Sequence, residues 1–157
     1  MATLSIESNG LLEKTAVYYN GEQLSGIKEL FLNLDEDGSF DAFIQYEGTD
    51  GNLYTKQIFS DYLENIKIIE PSFTEEESQE LHLLTIESNG DIDETLVFYD
   101  EEPLDGIVRL MLHIKGTSKP SGLAKLFKSK DVVDKPVFIS EITFRNEDDE
   151  LETETIF

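Results

Sequence analysis

The chain consists mainly of short segments in which apolar residues occupy every second position. Between residues 30 and 34 every second residue is leucine, and between residues 40 and 46 every second residue is apolar. Because side chains alternate between the two faces of a strand, this pattern predicts strands with one buried face. The strands predicted in the first half of the chain cover residues 4–8, 15–19, 27–34, 40–46 and 53–59, and one extra strand is predicted within residues 61–70, which include Ile66, Ile68 and Ile69.

Turn residues separate these segments. Asn9-Gly10 and Asn20-Gly21 follow the first two predicted strands, and both residue types tolerate the positive φ angles of tight turns. Many short strands joined by such turns are typical of an antiparallel meander or sandwich. The pattern therefore predicts an all-β fold.

The chain also repeats itself. Residues 4–34 align without a gap on residues 84–114, an offset of 80, and 15 of the 31 positions are identical. Residues 40–46 match residues 138–144 at an offset of 98, so 18 extra residues separate the third and fourth strands of the second copy. We predict two tandem homologous antiparallel β-modules of about five strands each, related by a pseudo-two-fold axis.

The repeat also sets the predicted boundaries. The first β-repeat covers residues 1–70, a linker covers residues 71–81, and the second β-repeat covers residues 82–157 with an insertion at 116–133. Within the linker, Thr74 and Glu77 have capping-box spacing, which predicts a helical turn. A unit of about 70 residues buries little surface alone, which favours a core shared by both repeats.

The net charge of the chain limits the classes of molecule that it can bind. The chain has 34 acidic and 12 basic residues, a net charge of -22. Direct binding to nucleic acid or to an anionic membrane requires Lys and Arg, so we expect neither. A basic protein is the better partner for such a surface. The alternative is an acidic protein whose charge serves only solubility, as in salt-adapted proteomes.

Acidic residues concentrate in a few segments. In an extended strand, residues two apart point the same way at a spacing of about 6.6–6.8 Å, so Glu150, Glu152 and Glu154 are predicted to form a charged row. The first repeat has Asn52, Tyr54 and Lys56 at these positions, so the strand itself does not require acids. The predicted acidic binding residues are Glu147, Asp148, Asp149, Glu150, Glu152, Glu154, Asp100, Glu101 and Glu102.

The insertion is basic. Residues 115–135 contain six lysines and two aspartates, a local net charge of +4. Leu123, Leu126 and Phe127 have helical spacing, which predicts a short amphipathic helix. Two interpretations stay open: the insertion folds back on the acidic body, or it contacts a second subunit or another protein. The predicted binding residues are Leu123, Lys125, Leu126, Phe127 and Lys128.

Little in the sequence suggests catalysis. There is no cysteine, which excludes disulfides and thiolate chemistry. His82 and His113 lie 31 residues apart without neighbouring ligand spacing, so neither a zinc site nor a Ser-His-Asp triad is indicated. No phosphate-binding glycine motif is present. We expect a protein without enzymatic activity, cofactor or metal.

Two further motifs have structural and functional interpretations. The segment from Asn33 to Asp41 resembles part of an EF-hand, but the twelfth position counted from Asn33 is Ile44, where calcium requires a bidentate glutamate, so an Asp-rich turn at Asp35–Asp41 is the preferred interpretation. Glu-Ser-Asn-Gly occurs at both Glu7–Gly10 and Glu87–Gly90. We expect turns there, with a duplicated binding tip as the alternative.

No signal-peptide pattern opens the sequence, and no apolar run reaches the roughly 18 residues of a membrane span. Together with the lack of cysteine, this predicts a cytoplasmic protein. The preferred function is an acidic binding protein that mimics nucleic acid and inhibits a basic, nucleic-acid-binding host protein, as a phage or mobile-element anti-defence protein would. The alternative is a structural protein of a virion or surface, which predicts homo-oligomers.

Overall fold

The computed structural model describes residues 2–116 and 136–157, and these are built mainly of antiparallel strands, which confirms the all-β prediction. Two 3-10 helices cover Leu12–Lys14 and Ile92–Glu94, and one α-helix, α1, covers Glu75–Ser78. The strands are β1 (Ala2–Ser8), β2 (Ala16–Tyr19), β3 (Glu22–Ser25), β4 (Ile27–Asp35), β5 (Phe40–Glu47), β6 (Leu53–Gln57), β7 (Lys67–Ile69), β8 (His82–Ser88), β9 (Leu96–Tyr99), β10 (Glu102–Pro103), β11 (Ile107–Lys115), β12 (Val137–Arg145) and β13 (Leu151–Thr155).

The strands form two sheets, and each sheet contains strands from both halves of the chain. The first sheet has the order β10-β9-β8-β1-β2-β3-β7, and the second has the order β13-β12-β11-β4-β5-β6. In the first sheet β1 pairs with β8, and in the second β4 pairs with β11. The two halves are therefore joined at the centre of each sheet.

The registers of these central pairs are regular. In the first sheet Ser5 lies opposite Thr85, and their hydroxyl oxygens are 3.1 Å apart. In the second sheet Leu32 lies opposite Leu112, and Leu30 lies opposite Ile114. Both Ser5/Thr85 and Leu32/Leu112 are pairs of residues separated by the repeat offset of 80.

The apolar positions that alternate along the strands meet in one core. Leu4 and Ile6 of β1 and Leu30 and Leu32 of β4 are fully buried, as are their counterparts in the second half. All belong to one cluster of buried side chains. Burying one such side chain is worth about 1.5–3 kcal/mol, so the alternation seen in the sequence supplies the main stabilisation of the fold.

The sequence prediction of about five strands in each repeat is too low. β3 and β10 were not predicted, because Glu22-Gln23 and Glu102-Pro103 show no apolar alternation. Each forms as the second strand of a hairpin: Tyr19 pairs with Glu22, and Tyr99 pairs with Glu102. Between the repeats, the strand predicted within residues 61–70 is the shorter β7, and the predicted helical turn is α1, where the Thr74 hydroxyl accepts a hydrogen bond from the Glu77 N–H at 3.2 Å.

The two hairpin turns contrast in their backbone strain. Asn20-Gly21 and Asp100-Glu101 both have positive φ, and Gly21 (φ 85°) corresponds to Glu101 (φ 70°). A residue with a Cβ is strained in this left-handed region, whereas glycine is not. Glu101 is therefore a strained position in the second hairpin.

Replacing Glu101 with glycine is expected to stabilise the protein by about 0.5–1 kcal/mol, because it removes the Cβ from this strained turn. The measurement is the free energy of unfolding in urea. Glu101→Gln is the control, since it removes the same negative charge but keeps the Cβ. Equal stabilisation by the two substitutions would show that charge relief, and not backbone strain, is responsible.

Candidate functional site

The turn between β12 and β13 exposes four of the predicted acids in succession. The Asn146 side-chain oxygen holds this turn by accepting hydrogen bonds from the N–H groups of Asp148 (2.9 Å) and Glu150 (3.0 Å). Arg145 lies 3.6 Å from a carboxylate oxygen of Asp149. Apart from this pair, the carboxylates of the turn project into solvent. The exposed acids are Glu147, Asp148, Asp149 and Glu150.

The next two acids lie on the edge strand β13. Glu152 is opposite Phe144, and Glu154 is opposite Ile142, both on the neighbouring strand β12. Directly opposed residues share one face of a sheet, so these carboxylates lie on the same face as the apolar Ile142 and Phe144. That face is directed towards the core, where Ile156 is buried. Glu150 lies just before the strand, in the turn.

The second predicted acidic segment is the β9–β10 turn. Asp100 accepts a hydrogen bond from the Leu83 N–H at 2.8 Å and lies 2.8 Å from His82 Nδ1. Burial raises the pKa of the Asp100 carboxyl, but the bonds from Leu83 and His82 outweigh it, so the pKa is lowered overall. Asp100 therefore stabilises the turn, whereas Glu101 and Glu102 are exposed to solvent.

An apolar opening between the sheets, which we name the open groove, is lined by Glu154 and by Tyr99, the residue that directly precedes Asp100. It has a volume of about 170 Å³ and lies between the β9–β10 hairpin of one sheet and the β12–β13 hairpin of the other. The Tyr99 hydroxyl donates to the Ile156 carbonyl at 2.9 Å and so joins the sheets at this point. Its lining residues are Leu84, Tyr99, Leu104, Ile142, Phe144, Glu154, Thr155 and Ile156.

The corresponding opening in the first half is closed by residues 61–69, which we name the covering segment. Leu63 of this segment is 6% exposed and belongs to the core, and Ile66 packs against the core. The Tyr46 hydroxyl donates to the Glu64 carbonyl at 2.7 Å, and Thr49 N donates to the Asn65 carbonyl at 2.8 Å. The covering segment is thus anchored by apolar burial and by backbone hydrogen bonds.

Because the covering segment closes the opening of the first half, the residues around that opening are more buried than the residues at the corresponding positions of the second half. In the first half Leu24, Ile44 and Tyr46 are 5%, 1% and 0% exposed. The residues at the corresponding positions of the second half, which line the open groove, are only half-buried. They are Leu104, Ile142 and Phe144.

A second acid-bordered cavity opens on the other side of the β9–β10 hairpin. It has a volume of about 400 Å³, and its lining includes Asp35, Glu36, Asp93 and Asp105. The cavity formed by the corresponding elements of the first half has about 280 Å³, and the described residues that line it include Lys28 and no acid. The cavity next to the β9–β10 hairpin is therefore the more acidic of the two corresponding cavities.

The remaining motifs have structural partners. The Ser8 hydroxyl is 2.8 Å from the Thr15 hydroxyl and accepts from Gly10 N at 3.0 Å, and Ser88 makes the same two contacts with Thr95 and Gly90. Both serines are fully buried. These contacts favour the structural interpretation of the repeated Glu-Ser-Asn-Gly.

In the Asp35–Asp41 loop, carboxylates accept hydrogen bonds from backbone N–H groups of the same loop. Asp37 accepts from Ser39 N at 2.8 Å, and hydrogen bonds from the Ser39 side chain and backbone lower the pKa of Asp37. His82 stacks on Tyr99, whereas His113 lies on a strand with its Nε2 3.6 Å from Glu29. Within the described ranges, no three His, Asp or Glu side chains are grouped as metal ligands.

The predicted insertion residues Leu123, Lys125, Leu126, Phe127 and Lys128 lie outside the described residues, as does the rest of the insertion except Gly116. Both interpretations of the insertion therefore stay predictions. In the described part of the chain, no helix has the length and apolar character needed to cross a membrane.

No family model, curated protein or solved structure matches this chain. The site is therefore interpreted from its own geometry. Sequence reasoning identified the acids but missed the apolar groove that Glu154 lines together with Tyr99, Ile142 and Phe144. The available signal was the comparison of the repeats: Glu154 stands where the first half has Lys56, and Phe144 stands where it has Tyr46.

Proposed function

We propose that this is a non-enzymatic binding protein whose acidic surface occupies a basic, nucleic-acid-binding site on another protein. The observation that carries the proposal is the placement of the acids. The Glu147–Glu154 segment lines the opening between the sheets through Glu154, and the Asp100–Glu102 segment is adjacent to it, since Tyr99, which precedes Asp100 and pairs with Glu102, lines the same opening. A surface of one sign around a cleft attracts a partner of the opposite sign.

The local balance of charge supports this proposal. Five of the 12 basic residues and two of the 34 acids belong to residues 117–135, so the described residues carry seven basic against 32 acidic side chains. Four of the seven bases form ion pairs with glutamates: Lys14, Lys28, Lys56 and Arg145. Most of the acidic surface is therefore left uncompensated within the described residues.

We also propose that the two halves are homologous modules related by a pseudo-two-fold axis, with boundaries at residues 1–70 and 82–157. The registers support this, since Ser5/Thr85 and Leu32/Leu112 are each repeat-related and directly opposed. In this arrangement Glu152 and Glu154 replace Tyr54 and Lys56 on equivalent strands. A role in binding would explain a change of charge that the strand does not need.

The outermost strands next to the groove weigh against the assembly alternative. β10 contains Pro103, which lacks a backbone N–H, and β13 carries Glu152 and Glu154. Proline and charged side chains on edge strands oppose strand-to-strand association. These two edges are therefore unfavourable sites for the strand-to-strand association that the assembly function requires.

The proposal is tested by capturing partners from a lysate of the native host and measuring the affinity of the purified complex. We expect the affinity to fall by about tenfold or more between roughly 50 and 500 mM salt, because exposed charge pairs are screened. The triple substitution of Glu150, Glu152 and Glu154 with glutamine should weaken binding similarly.

The matched control replaces Glu75, Glu76 and Glu80 with glutamine. These three acids of the α1 region are exposed, and their substitution removes the same number of negative charges. We expect this control to change the affinity by no more than about threefold, as for exposed charges outside an interface. An affinity that is independent of salt, or equally weakened by both triple substitutions, would contradict the proposed acidic interface.

A further inference from the structure

We propose that the open groove binds a turn-forming segment of the partner protein with the pattern apolar–basic–Asn or Gly–apolar, because Glu64 and Asn65 of the covering segment form a turn and Asn65 has a positive φ of 53°. The inference rests on the proposed function and specifies what the partner presents. It is drawn from the covering segment, which fills the corresponding opening of the first half with Leu63-Glu64-Asn65-Ile66. The first half thus shows what kind of chain segment fits such an opening.

The apolar part of the pattern follows from the burial of matching residues. Leu63 of the covering segment is 6% exposed, and Tyr46 beneath the segment is fully buried. In the open groove, Leu104, Ile142 and Phe144 are half-buried. The volume of about 170 Å³ is comparable with apolar cavities of about 150 Å³ that hold one benzene molecule. An aliphatic side chain of a partner therefore fits.

The basic part follows from a reversal of charge. In the first half Lys56 Nζ of the sheet lies 3.3 Å from Glu64 Oε1 of the covering segment. Glu154 stands at the position of Lys56, and Glu152 stands at that of Tyr54. The groove therefore offers the Glu154 carboxylate where the first half offers the Lys56 ammonium group. A segment bound there in the same way requires Lys or Arg at the position of Glu64.

Pro103 limits how the segment binds. In the first half Gln23 pairs with Ile69, so that β7 extends the sheet beyond β3. In the second half Leu104 N donates inward to the Val97 carbonyl at 2.9 Å, which directs the backbone of residue 103 outward. Proline has no N–H to offer there. The ligand therefore corresponds to residues 61–66, which are held by apolar burial and by hydrogen bonds to the carbonyls of Glu64 and Asn65, and not to β7.

The test uses two peptides covering residues 60–67, one with the chain's own sequence and one with Glu64→Lys, titrated into the full chain and followed by amide NMR shifts. We expect the lysine peptide to bind at least about fivefold more tightly, because an attractive charge pair replaces a repulsive one. The shifts should centre on Tyr99, Leu104, Ile142 and Phe144. A lysine peptide with Leu63→Ser should lose binding.

Protein variants complete the test. Glu154→Lys should reverse the preference of the protein between the two peptides, and Glu150→Lys, which makes the same charge change in the turn, should not. Binding of both peptides with equal affinity, or retention of binding by the Leu63→Ser peptide, would overturn the inference. Failure of both peptides while the partner still binds in a salt-dependent way would overturn the groove inference and leave the proposed function standing.

Other occupants give distinct results. Dimers of the free protein that Glu154→Lys dissociates, seen by sedimentation, would identify a second copy as the occupant and overturn the inference. Another outcome is that the Glu154→Lys substitution moves the amide NMR signals of residues 117–135 while neither peptide binds. That result would identify the chain's own lysine-rich segment as the occupant of the groove and overturn the inference.

Discussion

Replacing Ile44 with alanine is expected to lower the free energy of unfolding by about 3–4 kcal/mol, as for large-to-small changes in a closed core. Ile44 is 1% exposed and lies on β5 beneath the covering segment. The neighbouring side chains are fixed in two sheets and in that segment, so the space left by the side chain cannot collapse readily. Equilibrium urea unfolding monitored by circular dichroism gives the value.

Ile142 provides the matched comparison, because it occupies the position of Ile44 in the second half but lines the open groove. We expect Ile142→Ala to lower the free energy of unfolding by only about 1–2 kcal/mol, since part of this side chain already contacts solvent. An equal loss at the two positions would mean that the groove is filled in the free protein, contrary to the geometry described above.

The second large effect is a loss of stability in alkali. Burial, together with the negative charges of Glu64 and Asp50, raises the pKa of Tyr46 to about 12 from an ordinary value of 10.0. The folded protein therefore holds this proton more tightly than the unfolded chain does. The resulting stabilisation is complete below pH 10 and is lost as the pH rises towards 12, to a total of about 2–3 kcal/mol.

Urea unfolding at intervals between pH 9 and pH 12 measures this loss. Tyr46→Phe is the control, and phenylalanine is the residue found at the corresponding position 144. The variant is expected to be less stable at pH 9 by about 1–2 kcal/mol, because the Glu64 carbonyl loses its buried donor. Its stability should then fall less steeply with pH, and a slope equal to that of the original protein would exclude Tyr46 as the cause.

The sequence predicts strands where burial follows a local alternation, as in β4 and β5. It does not predict β3, where Gln23 is buried although it is polar. Gln23 is stabilised there by a distant partner, since its side chain bonds Ser72 at 2.7 and 2.8 Å. Nor does any local pattern specify that β1 pairs with β8, because that choice depends on contacts between residues about 80 positions apart.

Part of the candidate site can be predicted from the sequence, and part of it cannot. Acids in turns are exposed in almost any fold, so Glu147 to Glu150 could be placed on the surface from the sequence. The open groove depends on which residues the covering segment reaches and which it does not. Ile44 and Ile142 occupy equivalent positions in one pattern, and only the tertiary structure distinguishes the buried from the half-buried one.

The pairing of β1 with β8 and of β4 with β11 also has a consequence for how the chain acquires its structure during synthesis. The first half leaves the ribosome with the edges of β1 and β4 unpaired, and their partners follow some 80 residues later. Contacts between such distant residues make folding slow. Until the partners emerge, these unpaired edges can capture other nascent chains, and a high negative charge that keeps such chains apart is useful in that interval.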